Sequence, residues 1–88
     1  MKNETPKTNR EISIDAHNAE FRKKLGVRIA ALRAEAGLSQ RQFALMLELD
    51  RVTLNRIESG AGNPTLATLE RIASGLGLSL TELLHPAV

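Results

Sequence analysis

Apolar positions fall at helical spacing in five separate stretches of the chain. Phe21, Leu25, Ile29 and Leu32 recur at steps of three and four, which lines them up on one face of a helix. Either Asp15 or Asn18 can cap its start and Gly37 can stop it, so a first helix is predicted over about residues 18–36. Gly26 within it costs about 1 kcal/mol relative to alanine and is expected to fray the turns before it. Ser39-Gln40-Arg41-Gln42 reads as a capping box that opens a helix over 40–47, with Phe43, Ala44 and Leu47 facing inward. Glu48-Leu49 makes a turn. Asp50 then caps a helix over 51–59 whose inward pair is Leu54 and Ile57, and Gly60 ends it. Ala61-Gly62-Asn63-Pro64 is a loop by composition. Thr65 caps a fourth helix over 66–75, striped by Leu66, Leu69, Ile72, Ala73 and Leu76, with Gly75 or Gly77 near its end. Ser79 and Glu82 form a second capping box for a short helix over 80–84, and Pro86 discourages continuation.

These elements predict an all-α, compact five-helix bundle occupying residues 15–88, preceded by a polar, disordered tail over 1–14. Composition agrees. Leu and Ala dominate the apolar set, and Phe21 and Phe43 are the only aromatics, so strand formers are scarce. With no cysteine, disulfides, thiol nucleophiles and cysteine-based zinc sites are excluded. No apolar run approaches the ~20 residues of a membrane span, and the N-terminus lacks a signal-peptide core, so a cytoplasmic location is expected. His17 and His85 stand at opposite ends without metal-ligand spacing around either. Ser39, Ser59, Ser74 and Ser79 have no His/Asp partners set by a motif, and no glycine-rich phosphate loop is present. No catalytic residue, metal or cofactor is expected, and an enzyme is not.

Charge changes the picture more than composition does. The net charge is +2, but residues 21–56 carry eight basic side chains (Arg22, Lys23, Lys24, Arg28, Arg33, Arg41, Arg51, Arg56) against Glu35, Glu48 and Asp50. From Ile57 onward only Arg71 opposes Glu58, Glu70 and Glu82. A basic half beside an acidic half suggests one face turned toward a polyanion.

Leu32-Arg33, Gly37-Leu38-Ser39-Gln40, Phe43-Ala44, Ile57-Glu58-Ser59-Gly60, Pro64-Thr65-Leu66 and Leu76-Gly77-Leu78-Ser79 fall in an order and spacing that resembles the Cro/repressor-type (XRE) helix-turn-helix domains. The resemblance runs from about Leu25 to Leu84 and implies a lambda repressor-like DNA-binding fold. Two helices crossing steeply need a small side chain at their contact, which Ala44 supplies, and a sharp turn four residues on, which falls at Glu48. The family usually has glycine there, so Glu48 carries a Cβ strain of about 1–2 kcal/mol or the turn shifts.

The resemblance places the helix over 51–59 in the major groove of a duplex. Arg51, Val52, Thr53, Asn55 and Arg56 are its non-core positions and the candidate base contacts. Arg51 or Arg56 suits guanine, Asn55 suits adenine, and Val52 and the Thr53 methyl suit a thymine methyl. The resemblance implies that Gln40 contacts phosphate and braces the recognition helix; Arg41 and Asn63 are candidate phosphate contacts beside it, with Thr53 and the Gly60–Gly62 amides as further ones. Lys23, Lys24 and Arg28 add long-range attraction or form a solvated helix face. Arg33 and Glu58 are implied to pair as a scaffold salt bridge.

The implied function is that of a transcriptional regulator, a repressor acting as a homodimer on a palindromic operator. The alternatives are an antitoxin that neutralises a toxin partner and the controller of a restriction–modification system. A dimer contact is expected within Leu76–Val88. The last two helices supply Leu66, Leu69, Ile72, Leu76, Leu78, Leu80, Leu83 and Leu84, more than one small core needs.

Overall fold

The computed structural model describes residues 9–85, with side chains from Asn18 onward. Five helices follow one another: α1 (Asn9–Glu35), α2 (Gln40–Leu47), α3 (Arg51–Glu58), α4 (Leu66–Gly75) and α5 (Leu80–Leu84). No strand occurs among the described residues. The ends of α2 to α5 lie where the sequence places them, give or take one residue.

The start of α1 does not. Residues 9–14, expected in a disordered tail, are helical, and Asp15 and Asn18 lie inside the helix instead of capping it. The reason is local. Neither glycine nor proline interrupts the chain between Pro6 and Gly26, so nothing stops the helix from propagating N-terminally. Residues 1–8 lie outside those described.

Both capping boxes form. The Ser39 hydroxyl accepts from the Gln42 amide at 3.0 Å, and the Gln42 side chain accepts from the Ser39 amide at 2.8 Å. Ser79 and Glu82 repeat the arrangement at 3.0 and 2.8 Å. Thr65 caps α4 by accepting from the Thr68 amide at 3.1 Å. Asp50 stands at the N-cap of α3 with extended backbone, but its carboxylate makes no capping bond.

Leu25, Ile29, Phe43, Ala44, Leu47, Leu54, Ile57, Ile72, Ala73 and Leu83 form one core, with Phe43, Ile29, Leu54, Ile72 and Leu83 fully buried. Of the eight leucines and isoleucines counted in the last two helices and their flanks, Ile72 and Leu83 are in that core and Leu69, Leu76, Leu78 and Leu84 pack against it. Leu80 is half-buried, and Leu66 stays 61% exposed. The bundle therefore absorbs more of this apolar set than its composition suggests, because α4 packs against both α2 and α5.

Gly26 has a role that its helix propensity conceals. A Cβ at this position would stand 2.4 Å from the Glu58 carbonyl oxygen and 2.5 Å from that of Ile57. Here α1 crosses the end of α3 in direct backbone contact, so glycine is required for packing and the site is buried. Gly60 (φ +80°) is closed in from the other side, where an added Cβ would meet Lys23 Cα at 2.8 Å.

Candidate nucleic-acid interface

Two buried residues, Leu54 and Ile57, anchor α3 in the core and dictate which of its sides faces outward. Arg51, Val52, Thr53, Asn55 and Arg56 are all exposed, Val52 at 65%. Arg41 on α2 and Asn63 in the loop after α3 are exposed too, while Gln40 is half-buried at the start of α2. Val52, Thr53, Arg56, Asn63 and Pro64 line a shallow depression between α3 and that loop. An exposed valine beside arginines, threonine and asparagine is the mixture that reads base edges, where apolar and hydrogen-bonding contacts are both needed.

The α2–α3 turn is sharp because Glu48 adopts the left-handed conformation, at φ 56° and ψ 41°. It is the only non-glycine residue with positive φ among the described residues. The Leu49 amide donates back to the Ala44 carbonyl at 2.8 Å and the Glu48 amide to Leu45 at 3.1 Å, which closes the helix end. Ala44, 3% exposed, sits among the core residues beneath this turn.

Arg33 and Glu58 meet in a two-pronged ion pair. Arg33 Nε donates to Glu58 Oε2 at 2.7 Å and Nη2 to Oε1 at 3.0 Å, while Nη1 donates to the Leu38 carbonyl at 2.9 Å. The side chains are 17% and 6% exposed. The hydrogen bonds to Glu58 raise the pKa of Arg33 above its already high ordinary value, with burial opposing and the charge of Glu58 reinforcing the shift. The pair ties the end of α1 to the end of α3 and neutralises the only acidic residue within α3.

Beyond this pair the network reaches the outer face. Gln40 Nε2 donates to Glu58 Oε1 at 3.0 Å, and Asn55 Nδ2 donates to Gln40 Oε1 at 3.4 Å. The resemblance implied that Gln40 braces the recognition helix, but no local sequence signal names the partners, because they are far apart in the chain. The same holds for two arginines. Arg28 donates to the Leu83 and Glu82 carbonyls at 3.1 Å each, so it braces α5 against α1 where a solvated or long-range role was expected. Arg71 donates to the Leu47 carbonyl at 3.1 Å and closes the end of α2. Lys23 and Lys24 remain exposed, Lys24 lying 3.6 Å from Glu20.

The loop amides are corrected as well. Gly60 donates to the Ile57 carbonyl at 3.1 Å, and Ala61 and Gly62 both donate to Arg56 at 2.9 Å. These N–H groups are spent inside the protein, so they are not available to a phosphate. Among the described residues there is no group of His, Cys, Asp or Glu able to hold a metal ion, and no helix long and apolar enough to cross a membrane.

The comparisons with known proteins agree with this geometry. The sequence matches the helix-turn-helix family over residues 29–83. It is 43% identical over 61 residues to control protein C.MunI of a Mycoplasma sp, spanning 68% of this chain and 82% of that protein. It is 42% identical over 57 residues to the immunity repressor protein of Bacillus phage phi105, spanning 65% of this chain and 40% of that one. The crystal structure of the restriction-modification controller protein C.AhdI from Aeromonas hydrophila superposes with a TM-score of 0.68 at 34% identity, over 74% of this chain and 97% of that one. With two helices joined by a sharp turn and a second helix whose outer side is polar and basic, the chain belongs to the helix-turn-helix family of DNA-binding transcriptional regulators.

Proposed function

We propose that the protein is a cytoplasmic repressor that binds a palindromic duplex as a homodimer with α3 in the major groove. The observation that carries this reading is the outer side of α3, where Arg51, Val52, Thr53, Asn55 and Arg56 are exposed together while Glu58 is turned inward onto Arg33. On this reading those five residues contact bases, and Gln40, Arg41 and Asn63 contact phosphates. Gln40 keeps one amide hydrogen for a phosphate after donating the other to Glu58. The homodimer contact is assigned to Leu76–Val88, where Leu76, Leu78, Leu80 and Leu84 are only partly covered by the monomer. Two copies double the number of bases read, which one half-site alone leaves too few.

Titration of a labelled duplex at increasing salt tests the reading. Arg41, Arg51 and Arg56 bring three cationic side chains per protomer, six per dimer, to the polyanion, so affinity should drop about 10³-fold between about 50 and about 200 mM salt. Affinity independent of salt would refute it.

A controller of a restriction–modification system is the second reading. It is favoured by the length over which this chain matches C.MunI and C.AhdI, 82% and 97% of those proteins. Both readings place the same residues on DNA. An antitoxin would instead use the C-terminal apolar surface for a toxin, and the native protein would co-purify with that partner in equal amount.

A further inference from the structure

The four-residue network across α1, α2 and α3 has a direction imposed by its chemistry. Arg33 can only donate hydrogen bonds, and the Glu58 carboxylate can only accept them. Glu58 is 6% exposed and takes Arg33 on both oxygens, so Gln40 can approach Oε1 only with its Nε2. That choice orients the Gln40 amide and turns its Oε1 toward Asn55, at 3.4 Å. A carbonyl oxygen needs a donor, so Asn55 must present Nδ2 to it. One hydrogen of Asn55 is thereby used. Its Oδ1 and its second N–H remain at the exposed surface of α3.

We infer that Arg33, Glu58 and Gln40 form a polarity relay that fixes the amide orientation of Asn55 and makes it an adenine-specifying residue. The inference rests on α3 entering the major groove. Adenine offers there one donor, N6–H, and one acceptor, N7, which match the acceptor and donor left on Asn55. Guanine offers two acceptors and meets only one remaining N–H. Gln40 is a positioning residue in this scheme: it touches Asn55 and directs which atoms Asn55 shows to the base. The buried ion pair thus has a second effect besides holding α1 to α3.

The relay makes a prediction that a purely structural role does not. In Gln40→Lys the ammonium still donates to Glu58 Oε1, the oxygen that Arg33 Nη2 also holds, but it offers Asn55 no acceptor. Asn55 then turns its Oδ1 toward the ammonium, and two N–H groups face the groove.

Selection from a library of random duplexes, followed by sequencing of the bound fraction, reads base preference position by position. The wild type is expected to enrich an adenine in each half-site, and Asn55→Ala to erase that preference alone. Gln40→Met should keep the helical circular dichroism, weaken binding to all duplexes through its lost phosphate contact, and in addition lower the adenine preference about tenfold or more. Gln40→Lys should move the preference at that position from adenine toward guanine. An adenine preference that survives both Gln40→Met and Gln40→Lys overturns the relay, as does an Asn55→Ala variant whose preferences match the wild type. A folded wild type that enriches no duplex at low salt overturns the DNA reading itself, which separates the two failures.

Discussion

Replacing Gly26 by alanine sets two physical effects against each other, and the structure decides which wins. In an isolated helix the change stabilises by about 1 kcal/mol, because glycine has more conformational freedom to lose. Here the new methyl would lie 2.4 and 2.5 Å from the carbonyl oxygens of Glu58 and Ile57, and 2.8 Å from the Glu58 carbonyl carbon. Those are backbone atoms, and they cannot rotate away as a side chain would. Restoring ordinary contact requires α1 and α3 to separate by roughly 1 Å, a gap that forfeits about a quarter to a half of each dispersion contact across it. The interface includes Leu25, Ile29, Leu54 and Ile57, and Arg33–Glu58 spans the same two helices. Overpacking of this kind costs about 1–3 kcal/mol, or somewhat more where backbone opposes it. Because backbone atoms oppose the methyl, the upper end of that range applies, about 3 kcal/mol, and the gain in propensity leaves an expected net loss of about 2 kcal/mol. For a domain of this size that lowers Tm by about 8–16 °C. Thermal and urea melts followed by helical circular dichroism measure it. DNA affinity at a temperature where the variant is still folded should also fall, since the end of α3 is displaced. A Gly26→Ala protein as stable as the wild type would refute the close crossing.

Arg33→Ala and Glu58→Ala should each cost about 3 kcal/mol, because either strands a charge that is mostly removed from water. The double change to Met and Leu should be milder than either single one, and additive losses in melts would show that the residues are uncoupled. Arg33 has a raised pKa, so its contribution is fully present below its unfolded value and is lost only as pH rises through the still higher folded value. The coupling in a double-mutant cycle should therefore be unchanged between about pH 7 and about pH 10; a decline over that range would contradict the bidentate pairing. Glu48→Gly should stabilise by about 1 kcal/mol, since φ 56° strains any residue with a Cβ; destabilisation in a urea melt would show that the Glu48 side chain contributes more than its strain costs. Sedimentation at micromolar concentration should show a dimer for the wild type and a monomer for Leu80→Asp, whose position is half-buried in one chain. A monomeric wild type, alone and on DNA, would remove the homodimer.

Local chemistry alone determined the helix boundaries from Gln40 onward. Ser39 with Gln42, Ser79 with Glu82, and the glycines at 37, 60 and 77 act on backbone groups within a few residues of themselves, so their effects are written where they stand. Core membership of Phe43, Ala44, Leu47, Leu54 and Ile57 followed from spacing for the same reason. The exposed residues of α3 were legible once Leu54 and Ile57 were taken as its inner pair. What tertiary structure decided is the meaning of residues whose partners lie far away in the chain. Gly26 looked like a weak point and is a backbone crossing; Arg28 looked solvated and braces α5; Gln40, which the resemblance implied would brace the recognition helix, does so through Glu58 and Asn55, partners that no local pattern names. The amides of Ala61 and Gly62, open by composition, are consumed by Arg56. Periodicity reports which side of a helix is buried, but not which atom of another helix arrives there. The hydrogen bonds and close approaches that orient the interface depend on that arrival.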